Sequence, residues 1–203
     1  MKKKLKIFIL LIVILTALCI IFFVYKNNHT KKKTQEAKVV DSIKGYGYKL
    51  HDNDSKLYKE IFEELKKNLD NEKIDEEKYA ESISKLFIID FFTLENKRTN
   101  DDIGGIDFVH KDALENFKLK AKDTMYKYIE SNVYGDRKQE LPEVNKINEV
   151  KLETTKVSYK NIKDSKAYKV HITFDYKKDL GYVKEKNIVL VHEDKILSII
   201  EMK

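Results

Sequence analysis

The sequence has little cysteine, proline or tryptophan: Cys19 and Pro142 are single, and tryptophan is missing. One cysteine cannot form an intrachain disulfide, so the class of small, disulfide-stapled secreted domains is excluded. The fold must therefore be held by a hydrophobic core, and a chain of 203 residues is long enough to bury one.

Motifs that bring catalytic or metal-binding side chains together are also missing. The five histidines show no H-x-x-x-H spacing, and no C-x-x-C pair or acidic ligand spacing accompanies them. Serine-nucleophile motifs and phosphate-cradling glycine loops are absent. The pair Gly104-Gly105 predicts instead a loop that needs positive φ or a close backbone approach. We therefore predict that the protein is not an enzyme and uses no metal or cofactor.

The later part of the chain also lacks a basic surplus, although the formal net charge is +6. Residues 1–33 contain eight lysines and no acidic residue, which leaves 32 basic against 34 acidic residues in the rest. Nucleic-acid-binding proteins carry their positive charge on the folded domain. We therefore expect no nucleic-acid partner.

One long uncharged run is present, residues 7–25 (IFILLIVILTALCIIFFVY). As a helix it would be about 28 Å long, close to the ~30 Å hydrocarbon core of a bilayer. The run predicts a transmembrane anchor in contact with membrane lipid, and the four lysines before it predict a cytoplasmic tail at residues 1–6. A cleaved signal or a lipoprotein modified at Cys19 is the alternative, although Leu18 does not fit a lipoprotein motif.

The remaining chain divides into a linker and one domain. Residues 26–43 are polar without an apolar period, which predicts a linker or stalk, and residues 44–203 are long enough for one domain. A short basic N-terminus normally stays inside while a large C-terminal domain is translocated. Abundant Lys, Ile, Asn and Tyr are typical of an AT-rich bacterial genome. We therefore predict a single-pass protein of the bacterial cell membrane with an extracytoplasmic domain.

Three amphipathic helices are predicted in the first part of this domain. The second begins after the N-cap Asp75, and the third covers about 111–132 with Phe117, Ala121 and Tyr128 facing inward. The first follows a stretch with three candidate N-caps, Asp52, Asn53 and Asp54.

In the last third of the chain the apolar period changes from 3.6 to 2. Alternation over residues 168–176 predicts a half-buried strand. The preceding strand changes parity near Thr154-Thr155, which predicts a β-bulge. Strands at 182–192 and 196–202 complete a four-stranded antiparallel meander. Three helices on a curved sheet form a cone-shaped α+β fold.

This order of helices and strands resembles the nuclear transport factor 2-like (cystatin-like) superfamily over roughly residues 50–203. With an anchor in front, the layout is similar to single-pass scaffold proteins of type IV secretion and conjugation machines. The resemblance implies a cone-shaped domain with protein partners in a membrane complex. It is topological, so it assigns no functional residue.

Asp90 is the one candidate site residue, because it lies inside the apolar stretch LFIIDFF. Burial raises the pKa of a carboxyl group, as in many general acids and bases, and enzymes of the superfamily use an Asp or His that lines the cavity. The structural alternative is a carboxylate that reaches a backbone N–H or a basic side chain at a loop. We favour this alternative, because no second polar group is placed by the sequence to act with Asp90.

Two functions remain open. The first is a non-catalytic protein-docking or scaffold domain in the cell envelope, with a filled cone and an exposed apolar patch or sheet edge. The second is a small-molecule-binding or isomerase-like domain with an open cavity, on the order of several hundred Å³, lined by Asp90 and tyrosine hydroxyls. The predicted anchor and the lack of a catalytic set favour the first.

Overall fold

A computed structural model describes the backbone of residues 2–29 and 33–203, and the side chains of residues 7–9, 12–22 and 33–203. The chain forms two compact units, Met1–Thr34 and Gln35–Lys203. The second unit is α+β, as predicted.

The first unit contains helix α1 (Lys2–His29). The prediction that residues 7–25 cross a membrane and bind its lipid is contradicted, because no helix in the described part of the chain combines sufficient length with sufficient apolar character. A spanning helix needs about 20 consecutive apolar residues. The longest stretch of described side chains in this segment is 12–22, and positions 10, 11 and 23–25 lie outside the described side chains.

The second unit begins with a two-stranded antiparallel sheet formed by β1 (Val39–Ser42) and β2 (Lys49–His51). β1 lies inside the segment that the sequence predicts as a linker. Both Val39 and Val40 are more than half exposed, so this strand has no buried face. A strand without a buried face leaves no apolar alternation to detect.

Helices α2 (Lys56–Leu69) and α3 (Glu76–Phe92) occupy the predicted positions. The N-cap of α2 is Ser55, which follows the three candidates named above and accepts a hydrogen bond from the Tyr58 backbone N–H at 3.1 Å. Asp75 caps α3, as predicted. The C-terminal half of α3 is the most buried helical segment, and every apolar residue of LFIIDFF is at most 3% exposed.

Helix α4 (Lys111–Asp123) is shorter than predicted. The chain leaves the helix before Tyr126, whose fully buried hydroxyl donates a hydrogen bond to the carbonyl of Phe91 at 2.7 Å. Tyr128 therefore does not face inward, and it is 75% exposed. The buried hydrogen bond is a tertiary contact, which a helical period cannot reveal.

The four-stranded sheet has the predicted antiparallel meander order. The pairing of its first two strands shifts register between Thr155 and Val157, next to the predicted bulge. α3 packs on this sheet, with the rings of Phe92 and Phe174 5.1 Å apart. The four strands are β3 (Val144–Tyr159), β4 (Ile162–Tyr176), β5 (Glu185–Glu193) and β6 (Ile196–Met202).

The segment before α4 is tied to the edge of the sheet. A 3₁₀ turn (Ile106–Phe108) leads to Val109, which pairs in parallel with Ile199 of β6. The His110 backbone N–H then donates to the Ile199 carbonyl at 2.8 Å. α4 consequently starts beside β6.

Candidate functional site

Asp90, on α3, is held from two sides. Its Oδ1 accepts a hydrogen bond from Lys97 Nζ at 2.5 Å, and its Oδ2 accepts one from the Gly105 backbone N–H at 2.6 Å. The Lys97 side chain is 6% exposed and the Asp90 side chain 26%. These contacts, a basic side chain and a backbone N–H in a loop, are the ones expected of the structural alternative.

The Gly104-Gly105 loop closes over Asp90 because neither residue has a side chain. A Cβ on Gly104 would stand 2.2 Å from the Asp90 carbonyl oxygen, and Gly105 has φ +74°. The Gly104 backbone N–H donates to the Tyr126 hydroxyl at 3.0 Å. The glycine pair therefore combines a close approach with positive φ.

Two carboxyl groups near this loop have opposite pKa shifts. Burial alone would raise the pKa of Asp90, but the charge and hydrogen bond of Lys97, with the Gly105 N–H, bring that pKa below its usual value. Burial raises the pKa of Asp54, and the negative charge of Asp90 adds to this increase. Asp90 is thus held ionised, and the raised pKa expected of a general acid belongs to Asp54.

A polar pocket of about 250 Å³ borders both carboxyl groups and Lys97. It contains further ionic contacts, such as Lys49 to Asp107 at 3.5 Å. Among the described residues, no group of His, Cys, Asp and Glu side chains could hold a metal ion. The charged side chains at this pocket thus include two internal ion pairs, Lys97 with Asp90 and Lys49 with Asp107.

A separate groove of about 650 Å³ lies between α4 and the sheet. Asp90 does not line it, and Tyr159 is the one tyrosine that does. This groove therefore differs from the cavity lined by Asp90 and tyrosine hydroxyls that is expected of a small-molecule-binding domain. Its apolar wall residues are Phe91, Phe92, Val109, Ala113, Phe117, Ala121, Met125, Val183, Ile199, Ile200 and Met202.

The groove exists because the inner face of α4 is small. Ala113, Phe117 and Ala121 recur at intervals of four residues, so they share one helix face. The two alanines are the buried residues of this helix. Their methyl groups do not reach far enough to fill the space in front of β6.

Aromatic rings form one wall of the groove. The ring centroid of Phe91 lies 5.1 Å from that of Phe117 and 5.3 Å from that of Tyr126. Phe117 also lies 5.7 Å from Phe87, which is fully buried. These distances are typical of attractive aromatic pairs, so this wall is well packed.

Charged side chains at the groove are mostly basic. Three lysines and one glutamate line it: Lys120, Lys186, Lys203 and Glu201. Glu201 pairs with Lys203 at 2.7 Å. The groove therefore keeps a positive excess.

Sequence reasoning found Asp90 and missed the groove. The predicted inward face includes Phe117 and Ala121, and both line the groove, but the sequence pattern predicts a filled core at this place. The available signal was residue size, because two of the three residues on the observed inner face, Ala113 and Ala121, are alanines, and small side chains leave space. Lys186 was a second signal, since it is a charged residue two positions before the buried Ile188.

Comparison of this chain with protein-family models, with curated proteins and with solved structures found no match. The resemblance to the nuclear transport factor 2-like superfamily therefore stays a prediction.

Proposed function

We propose that residues 35–203 form a non-catalytic binding domain that holds an apolar small molecule in the groove between α4 and the sheet. The observation that carries this proposal is the groove itself, about 650 Å³ in volume with mainly apolar walls. Ligand pockets in proteins typically measure roughly 300–1,000 Å³ and have predominantly apolar linings.

The contacts of Asp90 support a binding role over catalysis. Its carboxylate is neutralised by Lys97 and bound by the Gly105 N–H, and it lies outside the groove. A general base needs its carboxylate within reach of the substrate proton. Among the side chains that line the groove, the one carboxylate is that of Glu201, which is paired with Lys203.

The edges of the four-stranded sheet favour a small molecule over a docked protein strand. β3 is an edge strand with alternating Lys and Glu residues and three register shifts, features that discourage pairing with another strand. The other edge, β6, is partly covered by the contacts of Val109 and His110 with Ile199. The scaffold function and the extracytoplasmic location stay predictions.

The proposal is tested by photolabelling the full chain with a long-chain alcohol that carries an alkyl diazirine. We expect labelled peptides from α4 and β6, identified by mass spectrometry. Asn116→Trp places a large ring at an exposed position that lines the groove, so it should reduce this labelling at least about tenfold without disturbing the core.

Leu119→Trp is the matched control, because Leu119 lies on the same helix, is 63% exposed and does not line the groove. Labelling of α4 and β6 should be unchanged in this variant. Equal labelling of these peptides in both variants, or no labelling of them in the wild type, would overturn the proposal.

A further inference from the structure

We infer that the ligand of the groove is an amphiphile with one anionic head group, of which an alkyl chain ending in a carboxylate is the simplest form. This inference rests on the proposed function and adds the charge of the ligand. It depends on two lysines, Lys120 and Lys186.

Both lysines line the groove, and neither forms an ion pair with any residue that the structure describes. The other charged groups of the lining, Glu201 and Lys203, neutralise each other at 2.7 Å. Two positive charges therefore remain at a mainly apolar surface. An anion at this place would gain two ammonium partners without displacing an internal carboxylate.

The position of Lys186 indicates a role beyond solubility. Side chains in a strand alternate between the two faces, so Lys186 shares its face with Ile188 and Leu190, which are fully buried. Its own side chain is half-buried. Lysine side chains bury their alkyl stem and keep the ammonium group accessible, so Lys186 offers a cation at the edge of an apolar surface, where an anionic head group could pair with it.

Lys186 and Lys203 lie close together at one end of the sheet. Lys186 lies at the start of β5, and its neighbour Asn187 exchanges two backbone hydrogen bonds with Lys203, of 3.0 and 2.9 Å. Lys120 lies in the last turn of α4, where it also offsets the partial negative charge of the helix C-terminus. An anionic group bound at this end of the groove would be close to lysine side chains.

The part of the groove near the start of α4 is apolar. Val109 and Ala113 line it there beside Ile199 of β6, with Phe91 behind them. An alkyl chain matches this surface because it has no hydrogen-bonding groups that would need partners. A head group at the lysines and a tail toward Val109 together describe an amphiphilic anion.

The test uses the full chain carrying Tyr159→Trp, which puts the protein's one tryptophan at the groove. Because the sequence has no other tryptophan, the fluorescence of this residue reports changes at the groove. The three probes share a twelve-carbon chain: dodecanoate, 1-dodecanol and dodecylamine, titrated at pH 8 below their aggregation concentrations. We expect dodecanoate to bind about five- to tenfold more tightly than dodecanol, and dodecylamine to bind most weakly.

Lys186→Met and, separately, Lys120→Met should each lower the affinity for dodecanoate several-fold and leave the affinity for dodecanol unchanged. Lys120 is exposed, so its substitution does not threaten folding. Lys156→Met is the control, because Lys156 is an exposed lysine of β3 that lies outside the groove. It should leave the preference for dodecanoate intact.

Equal affinities for dodecanoate and dodecanol, or tighter binding of dodecylamine, would overturn the inference and leave the proposed function standing. Retention of the full preference in both lysine variants would also overturn it. A tryptophan signal that none of the three probes changes would overturn the proposed function, and the inference with it.

Discussion

The polar pocket beside Asp90 and the groove both border the C-terminal half of α3. They differ in whether their charged side chains have partners inside the protein. The negative charge of Asp90 has two internal partners, since Lys97 Nζ and the Gly105 N–H each donate a hydrogen bond to one of its carboxylate oxygens. Lys186, at the groove, forms no ion pair with any residue that the structure describes. The charge of Asp90 is thus used inside the fold. The charge of Lys186 has no internal partner, so it is available to a ligand in the groove.

Small residues also act in opposite ways in the two regions. Gly104 lets the loop approach the α3 backbone so closely that even a Cβ would collide with Asp90. Ala113 and Ala121 have the reverse effect, because the facing surfaces are too far apart for a methyl group to bridge. The lack of a side chain at Gly104 therefore allows close packing, whereas the small side chains of Ala113 and Ala121 leave the groove open.

The largest expected loss of stability comes from a comparison of two phenylalanines in the same aromatic group. Phe87 is fully buried, so Phe87→Ala should cost about 3–5 kcal/mol of the free energy of unfolding. Phe117 is half-buried at the groove, so Phe117→Ala should cost about 1–2 kcal/mol. Urea denaturation of the full chain measures both. Equal losses would show that Phe117 belongs to a closed core.

The lysines provide the second test. Lys97→Met leaves the Asp90 carboxylate without its partner and should cost about 2–4 kcal/mol, since Asp90 is only partly exposed. Lys186→Met removes a charge that has no partner and should change stability by about 0.5 kcal/mol at most. Lys169→Met removes one partner of an exposed ion pair with Glu153, so it should lower the free energy of unfolding by about 0–1 kcal/mol. A loss for Lys186→Met as large as for Lys97→Met would contradict the comparison.

The third test concerns the dependence of stability on pH. Because the pKa of Asp90 is lowered, its stabilisation is present above about pH 4 and is lost as the pH falls through the lowered pKa. Asp90→Asn should therefore cost about 1–3 kcal/mol at pH 7 and flatten the acid limb of the stability profile.

Asp54→Asn should act in the opposite direction. The pKa of Asp54 is raised, so the folded state disfavours its ionised form, and the amide should increase stability at pH 7 but not at pH 3. Urea denaturation at both pH values measures the two variants. A loss of stability at pH 7 in Asp54→Asn would show that its charge is favourable in the fold.

The sequence predicted α3, its cap and the position of Asp90 well, because each depends on residues close together in the chain. The Asp75 side chain caps α3 by accepting a hydrogen bond from the backbone N–H of Lys78, three residues later. The apolar character of LFIIDFF is likewise a property of neighbouring residues. It could not predict Lys97 as the partner of Asp90, seven residues later and beyond the end of the helix. That pairing requires the turn which follows α3.

By itself, the sequence determined the α+β class, the order of the meander and the polar exception inside α3, since periodicity and local caps are properties of neighbouring residues. The tertiary structure decided that α4 stops before Tyr126, that the Gly104-Gly105 loop covers Asp90 and that a groove opens beneath Ala113 and Ala121. A cavity is the space between surfaces from distant parts of the chain. Its volume therefore depends on their separation, which no local pattern of residues records.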